Sequence, residues 1–275
     1  MPKFIEKFFT DVDECTISDF LHNGYCIKDV DNFDLLEKMR SEVTRITCDF
    51  LQVSQSDSDS DFLNNVHKIL KPADINSLRL HIFHELNNQK WLRPSYFFLG
   101  KSSLELIVGN ELVMQNKVNL SIQMPHDTSS LLGIHSDIYS GESPFEVVQW
   151  VPLVDVFESK SMFILPYKQT MIAQKELTTL ERPSMEEIYS RYKKDLVWLD
   201  IPFGKALLFN PNCYHGNAVN VTSTSRWSFN TRFKGLFSPY GSPEKNLGSF
   251  YRPITTRPAS IFGVNYDEPS GFEKK

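Results

Sequence analysis

Two segments of the chain alternate between polar and mostly apolar residues. From Val118 to Met124 every second residue is polar, and the same holds from Arg226 to Phe233. A period of two is typical of a β-strand, because successive side chains point to opposite faces. A polar row that faces the interior of a sheet structure costs free energy unless it meets a partner or a ligand. The alternation therefore predicts a β-structure with a polar, ligand-binding interior.

Short apolar or alternating runs, separated by Gly, Pro, Asn and Asp, follow one another from about residue 95 onward. The runs that we interpret as strands are Leu104–Val108, Val118–Met124, Phe145–Val156, Ser161–Leu165, Leu196–Ile201, Ala206–Phe209 and Arg226–Phe233. Many short strands with such separators indicate a sandwich or a barrel. Between two of them, residues 181–195 are predicted to form a charged helix or a lid.

The first part of the chain has a helical period instead. Apolar residues recur at three- and four-residue steps within 14–23, 35–51 and 73–90, and a strand is predicted at Tyr25–Ile27. We therefore predict one domain that is mainly β with N-terminal helices, a double-stranded β-helix of the jelly-roll, cupin-like type. Its parts are a helical N-terminal part (1–94), a jelly-roll core (95–236) and a C-terminal wrap (237–275).

Composition and charge argue against several other classes of protein. The 275 residues carry a formal net charge of −5, whereas a general nucleic-acid binder usually carries a basic stripe. No stretch approaches the roughly 18 consecutive apolar residues of a transmembrane helix, and Met1–Lys7 lack the apolar core of a signal peptide. The scattered cysteines fit reduced thiols. We therefore expect a cytoplasmic protein with a small-molecule partner, no nucleic acid and no membrane span.

Two histidines, an aspartate and an arginine form a pattern that indicates a metal site. His135 and Asp137 are two residues apart, so an extended chain directs both side chains to one face. His215 completes two histidines and one carboxylate, the set that binds Fe(II) on one side and leaves other positions open. Arg226 follows His215 by 11 residues and is suited to bind a carboxylate beside the metal. Cys213 is an alternative ligand, although thiolate favours softer metal sites.

These residues resemble the motifs of the phytanoyl-CoA dioxygenase-like Fe(II)/2-oxoglutarate-dependent oxygenases. The resemblance covers roughly residues 15 to 236 and includes Phe20–Ile27, Gln149–Asp155 and Met162–Pro166, besides His135-x-Asp137, His215 and Arg226. The sequence departs from the family after Pro166, where Tyr167-Lys168-Gln169 replaces the usual Gly-Ser-His. The stretch from Gln123 to Pro166 is most similar to oxygenases encoded in sporadic bacterial carbohydrate clusters.

The resemblance implies a role for each matching residue and the cofactors Fe(II), 2-oxoglutarate and O2. It implies that His135, Asp137 and His215 bind iron. Arg226 would bind the C5 carboxylate of 2-oxoglutarate, with Ser228 as an accessory on the same strand face. The further residues that it places around 2-oxoglutarate are Trp150, Asn119, Gln123 and Asn217, of which Asn217 stands where the family often has a hydroxyl donor.

The resemblance also narrows the reaction. Related halogenases replace the metal-binding carboxylate with a small residue, so Asp137 favours hydroxylation or another oxidation that begins with hydrogen abstraction. A sugar, a surface-carbohydrate precursor or a nucleotide sugar is the expected class of substrate. Tyr139 and Gln149 are candidates for the substrate side of the site. Arg232 either binds substrate or pairs with a carboxylate at the rim of the barrel.

Two other functions remain open at this point. A jelly-roll binding or scaffold protein of carbohydrate biosynthesis would keep the fold and bind 2-oxoglutarate or carbohydrate without oxidising anything. A cupin-like metal enzyme would work without the oxo-acid, but Arg226 and Ser228 argue against that reading because they supply donors for a second anion. The sequence does not determine the oligomeric state.

Overall fold

The computed structural model describes residues 8–55, 57–178 and 184–267, and its N-terminal part contains two capped helices. Helix α1 (Asp11–Asn23) begins at a capping box made by Thr10 and ends at Gly24, whose φ of 78° suits glycine. Strand β1 (Tyr25–Asp29) follows directly. Helix α2 (Phe33–Leu51) begins where the side chain of Asn32 accepts a hydrogen bond from Leu35. The predictions for these three elements are confirmed.

Four further helices complete the N-terminal layer: α3 (Asp59–Asn65), α4 (Ile75–Asn87), α5 (Leu92–Phe98) and α6 (Lys101–Ile107). The layer therefore continues beyond the predicted limit at residue 94, and the predicted strand Leu104–Val108 is wrong. Leu104, Ile107 and Val108 have the three- and four-residue spacing of a helix face, and Leu104 is buried. A short apolar run does not by itself distinguish a strand from a buried helix.

Nine strands follow in the described residues of the second part of the chain. They are β2 (Leu112–Gln115), β3 (Asn119–Gln123), β4 (Glu146–Pro152), β5 (Phe163–Ile164), β6 (Val197–Trp198), β7 (Lys205–Phe209), β8 (His215–Gly216), β9 (Arg226–Gly235) and β10 (Tyr251–Pro253). Seven strands form an antiparallel sheet in the order β1-β7-β4-β9-β2-β10, with β3 also paired to β9. A smaller sheet has the order β6-β5-β8. The run that forms β2 was not predicted as a strand.

Alternation along β9 determines which side chains face which layer. Trp227, Phe229 and Phe233 are buried in the core between the large sheet and the N-terminal helices. A second apolar cluster, which includes Val148, Trp150, Leu207, Phe209, Met162 and Ile164, joins the large sheet to the small one. The opposite residues of β9, from Arg226 to Arg232, therefore face the space between the two sheets.

Two helices cover the outer side of the small sheet. Helix α7 (Tyr167–Leu177) was not predicted, whereas α8 (Met185–Tyr192) lies within the segment predicted as a helix or lid, whose first three residues lie outside the described ranges. A third apolar cluster contains Ile134, Phe163, Ala173 and Ile188. The chain thus forms successive layers of helices, large sheet, small sheet and helices.

After β9 the chain forms a turn, one more strand of the large sheet and a last helix. A short 3-10 turn (Pro243–Lys245) precedes β10, which extends the large sheet beside β2, and helix α9 (Pro258–Val264) follows. The last eight residues of the predicted C-terminal wrap, 268–275, lie outside the described ranges. Among the helices of those ranges, none is long and apolar enough to span a membrane.

Candidate metal centre and co-substrate cavity

His135, Asp137 and His215 meet at the edge of the small sheet. The backbones of His135 and His215 exchange two hydrogen bonds, each 2.9 Å long, so their rings lie side by side with centroids 4.4 Å apart. Asp137 begins a 3-10 turn, and its backbone N–H donates to the carbonyl of Pro211. One ligand atom from each of the three residues lies within 4.8 Å of the others. Backbone pairing thus brings the three predicted residues together.

The hydrogen bonds of the two imidazole rings determine which nitrogen is available. Nδ1 of His135 lies 2.8 Å from the carbonyl oxygen of Gly133, and Nδ1 of His215 lies 2.9 Å from that of Cys213. Because a carbonyl only accepts, each Nδ1 carries the proton. Each Nε2 then faces Oδ1 of Asp137, at 3.3 Å from His135 and 3.8 Å from His215. This donor set fits Fe(II), which two histidines and one carboxylate bind on one face.

The surroundings favour the ionisation states that a metal needs at two of the three residues, His215 and Asp137. Burial lowers the pKa of His215 to about 4, so the ring is neutral at pH 7 and able to bind a metal. Burial alone would raise the pKa of Asp137, but its contact with His135 and the charge of Arg232 lower it well below its usual range, and the same contact raises the pKa of His135 against the effect of burial. The carboxylate is therefore ionised. Cys213 is not part of this set, because its Sγ lies 3.9 Å from the carbonyl oxygen of Gly24 and packs between the sheets.

Arg226 is a buried cation without an anionic partner among the described residues. Its Nη1 donates to the carbonyl of Ser161 at 3.3 Å, and its Nη2 donates to Oγ of Ser121 at 3.2 Å. Burial lowers the pKa of Arg226 to about 10, and no neighbouring charge offsets this effect in the described ranges. Within the same ranges, Nε of Arg226 and Oγ of Ser228 are buried without a hydrogen-bond partner. Such donors fit the carboxylate of an entering ligand.

One cavity of about 600 Å³ joins the histidine–aspartate cluster to Arg226. Antiparallel register explains its polar wall, because Asn119 of β3 is opposite Asn230 of β9, and Ser121 and Arg226 follow on the same faces of the two strands. Asn119, Trp150, Asn217 and Arg232 also line the cavity, as the resemblance or the strand pattern predicted. A volume of this size is ordinary for a site that holds small ligands.

The predicted amide residues have defined partners. Asn217 accepts from the backbone N–H of Leu132 at 2.6 Å and donates to the carbonyl of Ser130 at 3.2 Å, so it fixes the segment 130–132 beside the cavity.

The two amide residues of strand β3 differ in their positions. Asn119 donates to the amide oxygen of Asn230 at 3.2 Å. Gln123 donates to the carbonyl of Ala218 at 2.7 Å, and it is fully buried rather than part of the described cavity wall.

Two of the three predicted substrate residues lie outside the cavity. The side chain of Gln149 points to the helical layer and donates to the carbonyl of Tyr96 at 2.9 Å, so its assignment to the substrate side is wrong. The hydroxyl of Tyr139 lies 2.7 Å from that of Tyr214, and Tyr139 is 64% exposed outside the cavity, so its assignment to the substrate side stays a prediction. Arg232 lines the cavity and pairs with the carboxylate of Asp137 at 2.7 Å.

Sequence reasoning missed other residues at the site. Arg79 of helix α4 lines the cavity and donates to Asn76, but nothing in its sequence context distinguishes it from a solvated helical arginine. Ser121 belongs to the polar row of β3, so the alternation indicated its face but not its contact with Arg226. Glu142 does not line the cavity, but its Oε1 lies 3.6 Å from Nε of Arg232, and it was missed because it follows a turn, where the period of two does not apply.

Comparison with known proteins agrees with this geometry. Residues 20–228 match the phytanoyl-CoA dioxygenase (PhyH) family. No curated protein is significantly similar in sequence. The structure resembles EctD from S. alaskensis, solved with 2-oxoglutarate and 5-hydroxyectoine, with a TM-score of 0.55 and 14% identity over 87% of this chain and 83% of that one.

It also resembles SnoN, a non-heme alpha-ketoglutarate-dependent epimerase from nogalamycin biosynthesis, with a TM-score of 0.51 and 15% identity over 96% of this chain and 92% of that one. AviO1 from Streptomyces viridochromogenes Tue57 has a TM-score of 0.52 and 12% identity over 85% of this chain and all of that one. The antiparallel jelly-roll, cupin-like fold with helices is thereby confirmed. Because the match covers most of the chain, the protein belongs to the phytanoyl-CoA dioxygenase family of Fe(II)- and 2-oxoglutarate-dependent oxygenases.

Proposed function

We propose that the protein is a dioxygenase that uses Fe(II), 2-oxoglutarate and O2 to hydroxylate a small metabolite, namely a sugar or a surface-carbohydrate precursor. In this proposal His135, Asp137 and His215 bind iron, and Arg226 binds the C5 carboxylate of 2-oxoglutarate. Ser121 and Ser228 assist Arg226 from the adjoining strand faces. The family supplies the reaction type, and the arrangement of the cavity supports the assignment of each residue.

The iron assignment is supported by the hydrogen bonds that orient the two imidazole rings for metal binding. Both histidines use Nδ1 to donate to a backbone carbonyl, which leaves the Nε2 lone pairs directed to one point near Oδ1 of Asp137. Such outer hydrogen bonds fix the tautomer and the orientation of metal-binding imidazoles. With three protein ligands on one side, an iron ion would retain positions for a chelating oxo-acid and O2.

The single observation that carries the co-substrate assignment is the uncompensated charge of Arg226. A buried guanidinium is costly without an anion, and within the described residues Arg226 contacts only a carbonyl and a hydroxyl. A carboxylate bound in the same cavity would supply the missing charge. 2-Oxoglutarate has two carboxylates and a keto group, so one end can reach Arg226 while the other chelates the metal.

The protein's own contribution to the reaction is binding, orientation and exclusion of water. Iron, when bound, supplies the chemistry that couples decarboxylation of 2-oxoglutarate to oxidation of a substrate C–H bond. Arg226 orients the co-substrate from the far end. Trp150 and Phe209 form apolar walls, and Asn217 fixes the segment 130–132 beside the opening. A substrate held between these walls would be shielded from bulk water.

The substrate class is supported by the neutral polar groups of the cavity and by the resemblance of residues 123–166 to carbohydrate-cluster oxygenases. Asn119, Asn230 and Ser130 lie along the wall and offer amide and hydroxyl groups, which suit the hydroxyls of a sugar. Two of the solved structures that this one resembles are one solved with 5-hydroxyectoine and one from nogalamycin biosynthesis, both of which concern small molecules.

The co-substrate assignment is tested by anaerobic titration with Fe(II) and 2-oxoglutarate, with the weak visible charge-transfer band of the chelate as readout. Wild type is expected to develop the band, and Arg226→Gln is expected to need at least tenfold more 2-oxoglutarate, because it loses an ion pair. Arg252→Gln, an exposed arginine on β10, is the matched control. Unchanged affinity in Arg226→Gln would remove the role of that arginine.

A turnover assay distinguishes an active oxygenase from a scaffold protein that has the same fold but no activity. Candidate sugars and nucleotide sugars are added with Fe(II), 2-oxoglutarate and O2, and succinate and oxygenated product are measured by mass spectrometry. A substrate should stimulate succinate release and gain one oxygen atom. Binding of 2-oxoglutarate without any succinate, with or without candidate substrate, would favour the scaffold.

A further inference from the structure

A series of ion pairs connects Lys245, which lies after β9, to Asp137. Nη2 of Arg232 lies 2.7 Å from Oδ2 of Asp137, and Nε of Arg232 lies 3.6 Å from Oε1 of Glu142. The same oxygen of Glu142 lies 2.7 Å from Nζ of Lys245, on the 3-10 turn after β9. Asp137 and Glu142 are both buried, and Lys245 is partly exposed. Negative and positive groups therefore alternate from the cavity to the surface.

The C-terminal segment, which we define as residues 239–245, is packed closely against the turn that follows Asp137. Oγ of Ser143 donates to the carbonyl of Pro239 at 2.6 Å, and the backbone N–H of Ser242 donates to the carbonyl of Gly141 at 2.8 Å. At Gly241 the two backbones are so close that a Cβ would lie 2.0 Å from the carbonyl oxygen of Gly141. Only glycine fits there without displacement of the segment.

Lys245 is held from its other side as well. Its ammonium group lies 4.1 Å from the centroid of the Phe250 ring, and Phe250 precedes β10. A cation over an aromatic face is attracted to it, which restrains the long lysine side chain. Lys245 therefore has a fixed position between the C-terminal strand and Glu142, rather than the freedom of a solvated surface lysine.

We propose that Arg232, Glu142 and Lys245 are positioning residues through which the C-terminal segment sets the orientation of the Asp137 carboxylate. The proposal rests on the proposed function, because it takes Asp137 as the iron ligand. Arg232 occupies Oδ2 and leaves Oδ1 directed to the two histidines, so the carboxylate offers one oxygen to the metal. Glu142 orients the guanidinium of Arg232, and Lys245 orients Glu142.

The consequence is that contacts remote from the cavity affect metal binding. Without Lys245, Glu142 would retain only Arg232 as an ion-pair partner within the described residues. Arg232 would then be drawn toward Glu142, and its hold on Oδ2 of Asp137 would weaken. A carboxylate that is free to rotate can bind a metal through both oxygens, which occupies a position that the co-substrate or O2 needs.

The experiment compares Lys245→Met with Lys205→Met in the full chain. Lys205 pairs with Asp29 at 2.6 Å, in an exposed ion pair at the far edge of the large sheet, and is the matched control. Anaerobic titration with Co(II) reports metal affinity, and the Co(II) absorption spectrum reports coordination geometry. Lys245→Met is expected to weaken metal binding by about threefold and to change the spectrum, whereas removal of outer contacts that touch the ligand directly costs about tenfold or more. Lys205→Met should match wild type.

Further variants separate positioning from a general loss of structure. Lys245→Arg keeps the charge and should restore the wild-type spectrum, and Gly241→Ala, which displaces the segment, should reproduce the spectrum of Lys245→Met. Thermal unfolding of each metal-free variant shows whether the fold is kept. Unchanged affinity and spectrum in Lys245→Met, Glu142→Gln and Gly241→Ala, with wild type binding metal normally, would overturn the positioning role alone. Failure of wild type to bind any metal would overturn this proposal and the proposed function together.

Discussion

Nη2 of Arg226 on β9 lies 3.2 Å from Oγ of Ser121 on the neighbouring strand β3. The two residues are diagonal neighbours, because Ser121 pairs in register with Ser228 and Arg226 pairs with Gln123. The hydroxyl therefore holds one arm of a guanidinium that has no carboxylate partner among the described residues. A neutral group thus orients the cation while leaving its charge available to a ligand.

Substitution of Ser121 by alanine tests this relationship. Ser121→Ala removes one hydrogen bond to a charged group and leaves Arg226 in place, so 2-oxoglutarate affinity should fall by about tenfold, the equivalent of about 1.4 kcal/mol. Metal affinity without 2-oxoglutarate should stay as in wild type. Anaerobic titration of the charge-transfer band measures the first, and Co(II) titration measures the second. Equal 2-oxoglutarate affinity in both proteins would show that Ser121 does not orient the arginine.

Arg226 should also lower the stability of the ligand-free protein. Arg226→Met removes a buried charge and keeps an unbranched apolar chain of similar reach, so the free energy of unfolding without ligand should equal or exceed that of wild type by about 1 kcal/mol. Added 2-oxoglutarate with metal should stabilise wild type but not the variant, since only a ligand that binds the native state stabilises it. Urea unfolding with and without ligand measures both effects. A clear loss of ligand-free stability in Arg226→Met would contradict the uncompensated charge.

Alternation, burial and local backbone conformation explain which side chains of the site could be placed from the sequence and which could not. Sequence could indicate the faces of β3 and β9 because their polar and apolar residues alternate, and it could indicate His135 and Asp137 because the two are close along the chain. Gln149 could not be placed, because every residue of β4 is buried and polarity then does not tell which layer a side chain faces. Tyr139 could not be placed because the extended chain ends at Asp137 and a 3-10 turn begins.

The corrected position of Gln149 predicts a structural role. Gln149→Ala removes the hydrogen bond from its side chain to the carbonyl of Tyr96 and leaves that buried carbonyl without this donor, which should lower the free energy of unfolding by about 1–3 kcal/mol. Affinities for metal and 2-oxoglutarate should remain those of wild type. Chemical denaturation and the two titrations provide the measurements. A variant of normal stability with impaired substrate turnover would return Gln149 to the substrate side.

A buried carboxyl group near the C-terminal segment predicts how stability depends on pH. Burial raises the pKa of Glu146 to about 7 from its usual 4.5, and the nearby charge of Glu142 adds to this effect. The backbone N–H of Ser143 and the charge of Arg232 oppose it without cancelling it. On the same face, Lys234 of β9 lies opposite Glu146 in register, and burial lowers its pKa to about 8. Below pH 8 this lysine therefore stays largely protonated.

Between pH 4.5 and 7 the native protein holds a proton on Glu146 that the unfolded chain has released. Native protein thus binds more protons than unfolded protein in this interval, so the contribution of Glu146 to stability is complete below pH 4.5 and is lost as the pH rises through 7. Glu146→Gln keeps the oxygen that accepts from Ser143 and cannot ionise. Relative to this variant, wild type should lose about 3 kcal/mol between pH 4.5 and 7.5. Urea unfolding at the two pH values measures the difference, and parallel pH profiles for the two proteins would mean that the pKa of Glu146 is not raised in the native state.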